Sequence, residues 1–554
     1  MNNIIKNSAI LLAGAVALSG CIKETFPEGG GVTASQISDS PFAADGMLVS
    51  IPTMLITNYT GAVDGEHFDF GYPSIFGATD RLAGEVFPVS GNMPGGNQYY
   101  DRWQGFLYPG NSTGLAANGY CAPLFWYNYY QFIKSANDVI SAVSDPEALG
   151  VAKTFRALYY LDLARLYEAL PAISELTTYD ISNVEGLTVP LVTENSTLDE
   201  LKNNPRLPRG EMFSFIKSDL DDAEESLANY EPASKNLPSL AVVYGLKARM
   251  YLWLGQFNES YDDVETGVEA YKLAADYARK AITASGASVM TEAQWLDPKT
   301  GFNTICSSWM WAMIQSTDTV LNNLLSFTAH MSTEAIWGYG NGAQPGISVF
   351  NYNRISSGDW RKKIFVGPDR SWAAIAPYTN LTQAEFEGLT DDSQIIAPYA
   401  SFKFHPNTGE KYDYNIGNVT SIPMMRVEEM YLTEAEAMAH YDTATATARI
   451  KEFMSMRGVS NYSPRADLAE DILFQKRIEF WGEGIVFYDM KRLNISMQNG
   501  NDGTNAPSMA QLSTKGRAPW WNCVIPLSAV QQNAALQNGA KNNPDPTKSY
   551  KSVN

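Results

Sequence analysis

Paired carboxylates and histidines are the side chains of this 554-residue chain that could do acid–base or metal chemistry. Hydrolysis of a glycosidic bond needs two carboxyls facing each other across it. The paired acids are Asp391-Asp392, Glu428-Glu429 and Glu434 with Glu436. The last two pairs fall on a regular helix, where they are expected to be exposed and solvated. A pair assembled from distant parts of a chain with 60 acids stays open. The four histidines, His67, His330, His405 and His440, are scattered, with no metal-ligand spacing on one helix and no His-Glu-x-x-His. A Walker-type phosphate loop and a Gly-x-Ser-x-Gly elbow are both absent. The run Gly338-Tyr-Gly-Asn-Gly-Ala-Gln-Pro-Gly346 is glycine-rich but does not join a strand to an amphipathic helix. It reads as a mobile surface loop. Catalytic residues, metal and cofactor are therefore all expected to be none.

A different chemistry is available to the aromatic residues. A sugar ring has an apolar C–H face and a rim of hydroxyls, so a flat aromatic side chain with a few amides beside it can grip one. Gly91 to Gly119 offers Asn97, Tyr99, Tyr100, Trp103 and Asn111 in an irregular segment. Residues 327–380 offer Trp337, Tyr339, Asn341, Trp360 and Trp372. Glycine or polar neighbours surround Trp103, Trp337 and Tyr339, which makes them the preferred platforms. Trp309 and Trp311 belong to the core, because Ser308 to Gln315 reads as a buried strand.

These residues need a scaffold, and the scaffold reads as helical. Phe155, Leu158, Tyr159, Leu163, Leu166, Tyr167 and Leu170 recur at spacings of three and four until Pro171. Leu124–Val143, Met212–Leu227, Leu240–Leu254, Tyr271–Ile282, Met430–His440 and Thr445–Arg457 read as further helices. The Leu254-Gly255 turn and the small face of Ala274, Ala278 and Ala281 resemble a tetratricopeptide helix pair. Between residues 286 and 420 the periodicity fades and Gly, Asn, Pro, Ser, Trp and Tyr become dense. Long irregular segments within a folded body are commonly functional. The fold class is therefore mainly α, with a loop-rich, aromatic ligand-binding face.

The N-terminus orders a charged start, an apolar run from Ala9 to Leu18 and small residues before Cys21. That is the order of a secretory signal, and the run is too short to span a bilayer. Leu18-Ser19-Gly20-Cys21 resembles a bacterial lipobox, which implies cleavage after residue 20 and lipidation of Cys21. Residues 21–40 then read as a flexible tether and 41–554 as a single domain, with the helical scaffold mainly in 120–285 and 421–500. Acidic residues outnumber basic ones for a net charge of -20, which argues against nucleic acid or anionic lipid as targets. Cys121, Cys306 and Cys523 remain after Cys21, so at most one disulfide can form within the chain.

Several segments together resemble the SusD/RagB family of outer-membrane lipoproteins. Besides the lipobox, these are Trp126 to Asn137, Phe155-Arg-Ala-Leu-Tyr-Tyr160 and its helix, and Ile422-Pro-Met-Met-Arg-Val-Glu-Glu with the following Glu-Ala-Glu-Ala437. Further ones are Phe453 to Gly458, Lys476-Arg-Ile-Glu-Phe-Trp-Gly-Glu-Gly484 with Asp489 and Arg492, and Ile525-Pro to Asn533 with Gln537-Asn538. Two positions depart from the pattern: Lys476 stands where the family has Glu, and Val486 where it has Arg. Arg426, Arg477, Glu479, Glu483 and Asp489 read as a packed polar network of charge-assisted bonds, not as ligand contacts. The resemblance implies four tetratricopeptide-like helical pairs and a loop-rich face. It implies a cell-surface lipoprotein that captures an oligosaccharide, less often a peptide. The catch would pass to a SusC-like TonB-dependent outer-membrane transporter. A surface glycoside hydrolase on a helical scaffold is the alternative.

Overall fold

The computed structural model describes residues 41–58, 67–90, 103, 107, 114–173, 179–320, 322–390, 394–537 and 541–548. Its first half is built from helices α1 (Pro41–Met54), α2 (Tyr72–Leu82), α3 (Cys121–Ala142), α4 (Pro146–Tyr167), α5 (Arg209–Ser226), α6 (Leu240–Leu254) and α7 (Gly267–Ser285). After a long loop-rich stretch come α8 (Val427–Ala439), α9 (Thr443–Met456), α10 (Leu468–Glu479) and α11 (Val486–Arg492). The helices read from periodicity are all present, with ends shifted by a few residues. The signal segment, Cys21 and the tether lie outside the described residues.

Helix α4 is the central one. Asp145 caps it, accepting from the Ala148 N–H at 2.9 Å, and Pro146 occupies its first turn. From Thr154 to Tyr167 every residue is buried, which a helix achieves only when neighbours surround it. Helix α3 folds back on it across a three-residue turn, and α5 packs on another side. Its charges are satisfied internally: Arg156 donates to Asp219 of α5 at 2.7 and 2.8 Å, and Arg165 donates to Asp162 at 2.5 Å.

Helices α6 and α7 form the expected close pair. Ala270, Ala274, Ala278 and Ala281 are buried on α7. A methyl group at Gly255 would lie 2.4 Å from the Tyr271 ring, so only glycine lets the two helices meet there. Helix α7 packs in turn on α8, and α8 on α9 and α10.

The buried strand appears as β1 (Trp309–Ile314), paired antiparallel with β2 (Ser421–Arg426) so that Trp309 faces Arg426 and Met313 faces Ile422. Trp309 and Trp311 are fully buried. This ribbon brings the two ends of the loop-rich stretch together, so residues 315–420 form one long excursion from a fixed base. Its described residues form short helices of three to six residues, such as Phe327–Met331, Tyr339–Ala343 and Val349–Arg354, and a two-residue strand, Pro345–Gly346, paired with Phe87–Pro88. A small second core of Phe87, Val366, Ile375, Phe386 and Phe402 supports the excursion. Cys121, Cys306 and Cys523 are free thiols.

Candidate functional site

The paired glutamates of α8 are not solvated, contrary to their sequence reading. Glu428, Glu429, Glu434 and Glu436 are all buried, and each holds a cation from another element. Glu429 accepts both nitrogens of Arg249 on α6 at 2.6 and 2.7 Å. Glu434 accepts from Arg279 on α7 at 2.9 Å. Glu436 accepts from Lys476 on α10 and Arg492 on α11. Glu428 accepts the Met290 N–H at 2.6 Å and faces Arg426 at 3.0 Å. Carboxylates bound in this way have no free face to offer a glycosidic bond. Asp391 and Asp392 lie outside the described residues.

The predicted polar network is present, and it is dense. Glu479 is fully buried and accepts from Arg457 at 2.8 and 2.9 Å, from Arg361 at 3.0 Å and from Arg426 at 3.2 Å. Burial alone would raise its carboxyl, but the three guanidiniums outweigh burial and hold it far below the usual carboxylate range. Glu483 accepts from Arg426 twice at 2.9 Å and from Lys403 at 2.6 Å. Lys476, the departure from the family pattern, bonds Glu436 and Asp489, so the substitution exchanges one ion pair for another. Arg477 turns away from this box and bonds Glu85 at 2.6 and 3.0 Å.

Two loops of the long excursion lie side by side, joined by the Ile336 N–H donating to Lys411 O at 3.2 Å. The first, residues 332–343, does not behave as a mobile glycine loop. Methyls at Gly338 and Gly340 would meet the backbones of Ala329 and Ser332 at 2.6 and 2.4 Å, so the glycines let this loop press onto the preceding helix. Fully buried Glu334 pins the base of the same loop, accepting from His405 at 3.0 Å, Thr379 at 2.5 Å and the Asn380 N–H at 2.6 Å. Burial would raise this carboxyl too, yet His405 and these hydrogen bonds bring it below its ordinary value.

From this base Trp337 and Tyr339 reach the half-buried rim. The Trp337 indole lies against Gly417, where an added methyl would come within 2.1 Å of the ring. The Tyr339 hydroxyl meets His67 Nδ1 at 2.8 Å, and the two rings stack at 6.1 Å. On the second loop Tyr412 is 62% exposed and its hydroxyl donates to Glu385. Ile416 on the same loop is 46% exposed.

This geometry corrects several expected platforms. Trp103 is fully buried, packed on Phe68 at 5.0 Å, and no ligand can stack on an enclosed ring. Asn341 is also buried, its amide donating to Thr333 O at 2.9 Å, so it braces the loop from inside. Trp360 is buried against Trp295. Trp372 is half-buried and packs on Phe386 in the second core. Asn97, Tyr99, Tyr100 and Asn111 lie outside the described residues. Tyr412 lies beyond residues 327–380, where the candidate aromatics cluster in sequence. Its one sequence signal was a run of Tyr, Asp, Asn and Gly over 412–417, as irregular as the stretch around Trp337.

Space among the described residues includes a small cavity and a wide groove. A small cavity of about 30 Å³ sits among Tyr72, Asp162, Arg249, Glu429, Lys476 and Arg492, room for a water but not for a sugar ring. A groove of about 910 Å³ opens between the Val349–Arg354 helix, the α8–α9 turn and the start of α10.

A helical scaffold holding a loop face with exposed aromatics is an architecture suited to binding. Residues 351–537 match the SusD family. A SusD-like protein of Formosa agariphila is 22% identical over 68% of this chain and 73% of its own length. A SusD-like carbohydrate binding protein from Bacteroides vulgatus has a similar structure, with TM-score 0.64 and 20% identity over 89% of this chain and 96% of its own. Another similar structure, solved with xylogluco-oligosaccharide, has TM-score 0.59 and 17% identity over 89% and 98% of the two chains. The SusD family match covers residues 351–537, and the fold is the one shared by these SusD-like structures.

Proposed function

We propose that this protein is a cell-surface lipoprotein, anchored through Cys21, that captures an oligosaccharide without turning it over. It delivers the catch to a SusC-like TonB-dependent transporter of the outer membrane. The observation that carries the reading is the aromatic rim of Trp337, Tyr339 and Tyr412 on two adjoining, internally braced loops. Flat rings at partial exposure can stack on sugar C–H faces, and the rigid loop base limits the entropy lost on binding. A relative of the same fold solved with xylogluco-oligosaccharide supports the ligand class. The delivery step and the anchor rest on the family resemblance and on the sequence before Cys21.

The test is retention of the protein in affinity gels containing a panel of neutral glycans, run beside a turnover assay on the same panel. Retention without release of reducing ends is expected. Trp337→Ala and Tyr412→Ala should each weaken retention by roughly 1–3 kcal/mol with melting unchanged. Turnover of any retained glycan, or wild-type retention by both variants, would overturn the reading.

A further inference from the structure

Buried arginines in this protein are generously bonded. Arg156, Arg249, Arg361, Arg426 and Arg457 each hold a carboxylate through two or more N–H groups. Arg354, at the end of the short helix Val349–Arg354, is different. Its side chain is only 18% exposed, yet its single ion pair among the described residues is a 3.5 Å contact from Nη2 to Asp471. The other Asp471 oxygen is taken by the Tyr462 hydroxyl at 2.6 Å. Arg354 Nε has no acceptor among the described residues. The guanidinium rests on the Phe474 ring at 3.9 Å, a support that fixes its plane without neutralising it. Burial, and then the charge of Arg465, hold it below its ordinary range, against the opposing pull of Asp471. Arg465 is exposed and makes no ion pair among the described residues.

Arg354 stands in the wall between two spaces. On one side is a pocket of about 100 Å³ lined by Ser356, Tyr462, Ser463, Arg465 and Gln475. On the other is the groove of about 910 Å³, to which Phe350, Asn351, Asn494 and Gln498 contribute. Of the two acids lining the small pocket, Asp359 is neutralised by Arg361, and Asp471 alone is set against both Arg354 and Arg465, which leaves the pocket with excess positive charge. A guanidinium fork matches a carboxylate or sulfate in a bidentate manner, and serine hydroxyls add donors. The groove has the size of a ligand site and offers an aromatic ring with several amides. Asp467 and Glu470 also line it and would repel a second anion, so the site suits one charged group followed by neutral units.

We propose that Arg354 and Arg465 form an oxyanion site for a carboxylate or sulfate ester on a sugar whose neighbouring units occupy the adjoining groove. The ligand's being a sugar rests on the glycan-capture reading above. The site itself shares no residue with the Trp337–Tyr412 rim.

The experiment is calorimetric titration of the full chain in detergent with trigalacturonate, a sulfated galactotriose, neutral galactotriose and inorganic sulfate. At least one charged trisaccharide should bind roughly tenfold or more tighter than the neutral one, as expected for one charge-assisted contact. Whichever binds identifies the group as carboxylate or sulfate, and competition by inorganic sulfate locates the effect at the oxyanion. Arg354→Met and Arg465→Ala should abolish the preference, while Trp337→Ala leaves it intact. Equal binding of charged and neutral trisaccharides, no binding of any charged probe, or the preference surviving in folded variants would each overturn the proposal. Should Arg354→Met fail to fold, exposed Arg465→Ala decides alone. A rim reading that fails while the Arg354 preference persists is told apart by the Trp337→Ala arm.

Discussion

Glu479 and Asp80 are both fully buried carboxyls, yet their surroundings push them in opposite directions. Glu479 is surrounded by three arginines and titrates below its unfolded value of 4.5. Its contribution to stability is therefore present above that pH and is lost as the pH falls through the folded range. Glu479→Gln leaves buried guanidiniums short of a counter-charge, so unfolding at neutral pH should become easier by about 3–5 kcal/mol. Denaturant titrations at pH 7 and pH 4 should show the gap from wild type narrowing in acid; a gap that stays constant would mean that Glu479 acts by shape alone. Among the described residues the Asp80 carboxyl accepts only the Gly484 N–H, at 3.2 Å, and its other oxygen has no partner there. Burial, with Glu85 nearby, pushes it up from 3.8 to about 8. The folded state thus retains a proton that the unfolded chain releases, and the stability this carries falls as pH rises from 3.8 towards 8. Asp80→Asn should melt with wild type at acid pH and above it at pH 9. Melting curves for the two proteins at pH 5 and pH 9 check the sign.

At the scale of elements, the position of Trp337 is set by a glycine eighty residues away in sequence. A methyl at Gly417 would lie 2.1 Å from the Trp337 ring and 2.4 Å from Glu410 O. Gly417→Ala should therefore shift the ring, blue- or red-shift its fluorescence and reduce glycan retention at least as much as Trp337→Ala, while the helical core melts normally. Unchanged fluorescence and retention would show that the loops adjust around the methyl. No local pattern announces such a contact, because it joins two irregular segments. This is why the helices were legible and the rim only in part. Helix α4 announces itself through spacing and Pro171, and β1 through its unbroken apolar run. Trp103 looked exposed for the same reason that Trp337 did, since polar and glycine neighbours surround both. The difference lies in Phe68, Phe70 and His330 closing over Trp103, all of them distant in sequence. The glutamates of α8 were misread similarly: helix periodicity cannot show that Arg249, Arg279 and Arg492 arrive from three other helices.

For the whole molecule, charge and anchoring are linked. The formal charge is -20, and many of the 40 basic residues are spent inside. Arg156, Arg249, Arg361, Arg426, Arg457 and Arg492 are buried against carboxylates, while Arg206 and Arg517 donate to backbone carbonyls. No helix among the described residues is long and apolar enough to cross a membrane. Binding to anionic headgroups needs clustered exposed lysines or arginines, and the net charge of -20 opposes it. Under the proposed anchoring, attachment depends on the acyl chains at Cys21, each buried methylene contributing about 0.8 kcal/mol. Cys21→Ala should move the protein wholly from the membrane pellet to the soluble or unprocessed fraction, and lowering the salt should not restore it. Fractionation of cells producing wild type and Cys21→Ala, washed at low and at physiological ionic strength, measures this directly. Membrane retention of the variant at low salt alone would reveal a basic surface, and retention at both would place the anchor elsewhere than Cys21.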